Sequence, residues 1–258
     1  MAVETVMRIV LGYPALDDPR GFVQVGQNRQ SKIFSVGEEA AIFPCVMAWA
    51  ATMLKQAGHK VIWDDGQFST DGCPASWHCQ LHKLVDLKPD LVCWEVKTPS
   101  ALRTYQRINE LKQVLPGTIV VLVGDHVTAL PQEALEQSAV NYVLTGGDYD
   151  FALMKLLGHM IGSMAHEIRE MPTTDTPLTT LPTIDRELCQ WKLYSRMGNY
   201  LYRPGTHGYS ARDCWWRHEG GCTFCSWTNT FKNYRQLSVE QFMADVESAH
   251  ALGAREYF

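Results

Sequence analysis

The 258 residues, 46% hydrophobic and 20% charged, suffice to bury one substantial core or two modest ones, which excludes a disordered, collagenous or mini-protein chain. The net charge of −5 is uneven, with 15 basic and 22 acidic groups in residues 1–190 against 8 and 6 in residues 191–258, and an acidic bulk argues against a nucleic-acid binder. The longest uncharged apolar stretch, 40–54, is interrupted by Pro44 and Thr52 and falls short of the ~20 residues that a bilayer requires, and no signal-type apolar segment follows Glu4 and Arg8, so the reading is a cytoplasmic chain with no membrane partner.

In chain order, Val6–Leu11 reads as a strand closed by Gly12, Tyr13 and Pro14. A helix follows from about Glu39 to Ala57, with Glu38 and Glu39 near its positive end and Gly58 as its stop, as helix electrostatics and capping favour. Lys60–Trp63 is a second strand running into the turn Asp64-Asp65-Gly66, and Trp77–Leu87 a helix on which His78 and His82 share a solvated face. Asp90–Val96 is a third strand, Ser100–Leu115 a helix, Thr118–Val123 a fourth strand, Pro131–Ser138 a short helix, Asn141–Leu144 a fifth strand and Asp150–Met164 a last helix. Strands alternating with helices at this spacing predict a parallel sheet covered on both faces, a doubly wound flavodoxin-like or Rossmann-like α/β domain over residues 1–166. Such sheets bind ligands beyond the C-terminal ends of their strands, which singles out the loops 12–14, 64–66, 97–99, 124–128 and 145–148.

Residues 167–190 read as a linker, because 171–183 hold three prolines and six threonines and favour extended backbone. Residues 191–258 then carry 14 of the 27 aromatics, expected mostly in the core. A strand-like run, Thr206–Ala211, precedes three cysteines, and Ser238 with Gln241 caps a helix from Val239 to about Leu252, as in a capping box. Gly253 ends it and 254–258 begins another strand.

Of the eight cysteines, Cys45, Cys73, Cys79, Cys93 and Cys189 lack ligand spacing and read as small, reduced, buried or half-buried hydrophobes. Cys214-x7-Cys222-x2-Cys225 differs. Three soft thiolates on one loop suit zinc or an iron–sulfur cluster. With three ligands, a four-iron cluster keeps one iron open; with His218 added, a Cys3His set closes a tetrahedral zinc site instead. No glycine-rich phosphate motif is present, which counts against nicotinamide and nucleotide-triphosphate enzymes.

The run Arg-Asp-Cys-Trp-Trp ahead of Cys-Thr-Phe-Cys-Ser-Trp resembles the cluster loop of radical S-adenosylmethionine (SAM) enzymes, with Phe224 between the last two cysteines and a first gap of seven residues where three is usual. Residues 120–133, containing Gly124-Asp-His126-Val-Thr128 and Pro131-Gln-Glu, and residues 142–148, containing Thr145-Gly146-Gly147-Asp148, resemble the strand-four and strand-five loops of the cobalamin-binding domain that precedes the radical SAM barrel in one subgroup. No Asp-x-His-x-x-Gly motif is present, so a side-chain histidine ligand to cobalt is not expected. The resemblance implies three cofactors. A 4Fe-4S cluster sits on Cys214, Cys222 and Cys225, SAM binds its open iron beside Phe224, and cobalamin lies against Thr98, Gly124, His126, Thr128, Gly146 and Gly147. It also implies reductive cleavage of SAM to a 5′-deoxyadenosyl radical, methylation or a related change of a small-molecule substrate, and a reductant protein as partner.

A radical SAM barrel takes about six strand–helix units of roughly 30 residues, and one follows Gln190. Residues 191–258 are therefore expected to be the first strand–loop–helix of an incomplete barrel, a truncated product or fragment that does not catalyse the reaction alone and whose last strand leaves an open edge. The alternative is a non-catalytic cobalamin- or small-molecule-binding module stapled by Cys3His zinc.

Overall fold

The computed structural model describes residues 6–17, 41–69, 74–159, 167–170, 176–196, 200–216, 222–225 and 233–258. Six strands make one all-parallel sheet: β1 (Arg8–Tyr13), β2 (Lys60–Asp65), β3 (Leu91–Glu95), β4 (Ile119–Val123), β5 (Tyr142–Thr145) and β6 (Glu167–Glu170), in the order β2-β1-β3-β4-β5-β6. All five residues of β3 are buried, as a strand covered on both faces requires. Helices α1 (Cys45–Gln56) and α6 (Tyr149–His159) cover one face with Met47, Trp49, Leu54, Leu153 and Leu156. On the other, α2 (Trp77–Leu87), α3 (Ala101–Val114) and α5 (Pro131–Gln137) bury Leu84, Ile108, Leu111 and Ala134. Each large aliphatic side chain so buried contributes ~1.5–3 kcal/mol. The doubly wound α/β reading is thus the fold observed.

Local differences from the sequence reading have physical causes. The first helix starts at Cys45, after Pro44, because a proline disfavours helical backbone at the residue before it; Ala41 and Phe43 are buried ahead of the helix, and Glu39 lies outside the described residues. Strand β1 continues through Gly12 and Tyr13, which pair with Asp64 and Asp65 of a longer β2. A Cβ on Gly12 would lie 2.1 Å from the Asp64 carbonyl oxygen, so glycine permits this close approach. A five-residue helix, α4 (Asp125–Ala129), fills the loop after β4.

The sixth strand falls within the stretch read as linker. It pairs with β5 at the sheet edge, where charged residues such as those of Glu-Ile-Arg-Glu are at home. The segment 176–196 is likewise packed. Leu178, Leu181, Ile184, Trp191 and Tyr194 join the core under α1 and α6, Trp49 Nε1 donates to the Pro182 carbonyl at 3.0 Å, and the Asp185 amide donates to Thr52 Oγ1 at 2.9 Å. The threonines and prolines there are spaced by apolar anchors, and the strap binds the two halves of the chain.

Beyond the strap, the expected strand 206–211 is two short pieces, β7 (Gly205–Thr206) and β8 (Ala211–Arg212). Strand β8 pairs antiparallel with β9 (Arg235–Gln236). Strand β7 pairs parallel with β10 (Glu256–Tyr257) across helix α7 (Val239–Ala251). Ser238 and Gln241 form the expected capping box on α7. Among the described residues no helix is long and apolar enough to cross a membrane.

Candidate cofactor site

The winding of the sheet reverses between β1 and β3, the neighbours that β2 and β4 flank. Beyond this switch point, where doubly wound sheets take their ligands, lies a buried polar cluster. The Tyr13 phenol and the Lys97 ammonium both donate to Glu95, and Lys97 Nζ also reaches Asp125 at 3.1 Å. Burial and the neighbouring Glu95 push the Tyr13 phenol well above its ordinary pKa, which keeps it a neutral donor. Sequence reasoning did not find this cluster; the alternation of Glu95 with Lys97 at a strand end was its only trace.

The loop after β4 opens on Gly124, with φ +108 and no room for a Cβ, which would sit 2.8 Å from Glu95 Cγ and 2.9 Å from the Val96 carbonyl oxygen. His126 is buried, its Nδ1 3.1 Å from Thr98 Oγ1 and its Nε2 3.1 Å from Glu133 Oε1. Both ring nitrogens are engaged within the protein, so His126 pins the β3 and β4 loops to α5. Thr128 Oγ1 donates to the Gly124 carbonyl at 2.7 Å and accepts the Gly146 amide at 3.0 Å. Gly146, at φ +97, turns the chain after β5, with Gly147 buried behind it. Thr98, Gly124, His126, Thr128, Gly146 and Gly147 are therefore brought together at the ligand end of the sheet. Two glycines there, at φ +108 and +97, permit the backbone turns that shape this end of the sheet.

Asp64 and Asp65, read as a turn, are buried strand residues that hold neighbouring elements. Asp64 accepts from Gln80 Nε2 and Lys83 Nζ, each at 2.7 Å. Asp65 accepts from the Tyr194 hydroxyl at 2.7 Å, and that hydroxyl accepts from Trp63 Nε1 at 3.0 Å.

The three candidate metal ligands lie on the segment between β8 and β9. Cys214 and Cys222 are exposed, Cys225 is half-buried, and none of the three is in a disulfide. A turn brings Cys222 and Cys225 together, the Cys225 amide donating to the Cys222 carbonyl at 3.0 Å. Among the described residues no three His, Cys, Asp or Glu side chains gather at metal-binding distance. The donor set nonetheless fits a soft metal centre by its chemistry, three sulfur donors on one loop, none of them fully buried. Phe224, Trp215 and Trp216 face solvent, so the aromatics of this region divide between core and an exposed set near the cysteines in sequence. His218 and Cys73 lie outside the described residues. Cys45, Cys93 and Cys189 are buried and Cys79 is half-buried, within the expected range, but Cys79 is disulfide-bonded, which corrects its reading as a reduced thiol.

The fold, a doubly wound sheet followed by a short strand–helix–strand unit, is similar to that of solved cobalamin-dependent radical SAM enzymes. No family model matches the chain. It is 24% identical over 234 residues to the anaerobic magnesium-protoporphyrin IX monomethyl ester cyclase of Cereibacter sphaeroides, across 81% of this chain and 36% of that protein. In fold it matches the radical SAM methyltransferase TsrM of Kitasatospora setae, solved with tryptophan substrate and a SAM analogue, with TM-score 0.58 and 17% identity over 97% of this chain and 47% of that one. It also matches the cobalamin-dependent SAM radical enzyme OxsB, with TM-score 0.58 and 13% identity over 96% of this chain and 32% of that one. A second TsrM structure, TM-score 0.56, contains cobalamin and a [4Fe-4S] cluster. The chain thus spans less than half the length of each.

Proposed function

We propose that this chain is the cobalamin-binding and cluster-bearing part of a cytoplasmic radical SAM enzyme that acts on a small-molecule substrate and draws electrons from a reductant protein. The observation that carries the reading is that Cys214, Cys222 and Cys225 share the loop between β8 and β9, outside any disulfide and none of them fully buried, in a chain whose sheet has a ligand end with glycine turns. Cys214, Cys222 and Cys225 would hold a four-iron cluster, with Phe224 beside it. When bound, the cluster and SAM together supply a carbon-centred radical, and cobalamin supplies methyl-transfer or related chemistry.

The chain's own share is binding and orientation. Gly124 and Gly146 allow the positive-φ turns after β4 and β5, with Gly147 behind the second. Thr98, His126 and Thr128 hold its loops in register through the hydrogen bonds above. The exposed tryptophans Trp215 and Trp216 directly follow Cys214 and give the loop an apolar surface that excludes water once covered. Among the described residues β7, α7 and β10 make one strand–helix–strand unit, so the reading assigns this chain cofactor holding rather than turnover by itself.

Anaerobic reconstitution with iron and sulfide is the test. The reading expects about four irons per chain with broad visible absorption, and loss of most of that iron in Cys222→Ala. One zinc and no iron per chain would overturn it, and conversion of SAM to 5′-deoxyadenosine by the isolated 258-residue chain would overturn the assignment of holding without turnover.

A further inference from the structure

The loop that carries the cysteines opens on β8 and closes on β9, and Arg212 of one strand lies opposite Arg235 of the other. Both arginines converge on a single carboxylate. Arg212 Nη1 is 2.8 Å from Asp148 Oδ1 and 2.9 Å from Asp150 Oδ1, and Arg235 Nη2 is 2.8 and 2.6 Å from the two oxygens of Asp148. The side chains of Arg212, Asp148 and Asp150 are 1%, 4% and 0% exposed, so this is a buried, charge-balanced cluster. The Arg212 guanidinium lies 5.2 Å from the Trp49 ring of α1 and 5.5 Å from the Phe151 ring of α6, which holds it between the two helices that cover that face.

The position of these groups in the chain gives the cluster its meaning. Asp148 directly follows Gly146 and Gly147, and its carbonyl accepts the Ala152 amide of α6 at 3.0 Å, so it is rigid with the turn after β5. Arg212 is two residues before Cys214, and the intervening Asp213 has φ +70, a left-handed conformation uncommon outside glycine. That turn switches the chain from the buried Arg212 to the exposed Cys214. One carboxylate therefore sets the height of both ends of the cysteine loop against the glycine turn at the ligand face.

We propose that Asp148 is a positioning residue: through Arg212 and Arg235 it ties both strands that bound the cysteine loop to the turn after β5, so that occupation of this turn and the setting of the metal centre on the loop are coupled. The coupling rests on the function proposed above; the mechanical tie does not.

Asp148→Asn, Arg235→Gln and the charge-preserving Arg235→Lys, each in the full chain, test it. Amide hydrogen exchange in the metal-free protein is expected to rise about tenfold in residues 208–216 and 233–238 in the Asn and Gln variants, to stay unchanged in α3, and to return most of the way in Arg235→Lys. Flanks that exchange as in the parent, or acceleration of α3 by the same factor, overturn the tie. If Asp148→Asn does not fold, Arg235→Gln on the more open side of the cluster decides. After reconstitution, hydroxocobalamin is expected to change the electron paramagnetic resonance signal of the reduced cluster in the parent and to leave it unchanged in Arg235→Gln. An identical response in the two proteins overturns the coupling. A parent chain that takes up no iron sinks the proposed function instead, while exchange still decides the tie.

Discussion

Asp65→Asn and His207→Gln should give the unfolding free energy opposite slopes with pH. Asp65 is 4% exposed and accepts hydrogen bonds from Tyr194, at 2.7 Å, and from Gln67, at 2.7 Å from the side chain and 3.1 Å from the amide. Burial pushes its carboxyl from 3.8 up to about 6, against the pull of those hydrogen bonds. The folded protein therefore prefers the protonated acid, and this contribution is complete below pH 3.8 and is lost as pH rises through about 6, a change of about 3 kcal/mol. His207 runs the other way. Buried beside Tyr200 and the Phe258 ring, it is lowered by desolvation from 6.5 to about 4. Its contribution is complete above pH 6.5 and is lost as pH falls through about 4, again about 3 kcal/mol. In the parent the two nearly cancel across this window. Urea unfolding followed by tryptophan fluorescence between pH 4 and 8 would show it. Relative to the parent, Asp65→Asn should gain about 3 kcal/mol on going from pH 4 to 7, and His207→Gln should lose about as much. Curves parallel to the parent for either variant would refute the burial argument for that group.

Gly124→Ala forces a side chain into a left-handed backbone at φ +108 with its Cβ 2.8 Å from Glu95 Cγ, and should cost about 2–3 kcal/mol in chemical denaturation while weakening whatever binds at the β4 loop. Ser238→Ala removes the oxygen that accepts the Gln241 amide at 3.2 Å and should lower stability by about 1 kcal/mol; a Gly in its place should cost only a few tenths.

How much of this was legible in the sequence depended on the distance over which each signal acts. Helix α2 spans Trp77–Leu87 as read, because its cap, Ser76, and its apolar face are local. The strands β3 and β4 were legible for the same reason, as apolar β-branched runs between turn residues. The elements misread were those whose partners are remote. Residues 64 and 65 look like a turn in isolation, since aspartates are depleted in strands; they are strand residues because Gln80, Lys83 and Tyr194 supply donors. The Thr- and Pro-rich stretch at 171–183 looks like a free linker until the core beneath α1 takes up Leu178 and Leu181.

The candidate site divides along the same line. Cysteine spacing and a glycine pair announce chemistry within a few residues, so the candidate metal ligands and the β5 turn were visible from the sequence. What relates them was not, because the Asp148–Arg212 and Asp148–Arg235 pairs span 64 and 87 residues and an arginine beside a cysteine has no periodicity to betray its partner. Buried ion pairs are costly to assemble, and this chain places one of its most deeply buried between the loop that would carry the metal and the turn that would carry the second cofactor. Its location, rather than its strength, is what links the two halves of the site.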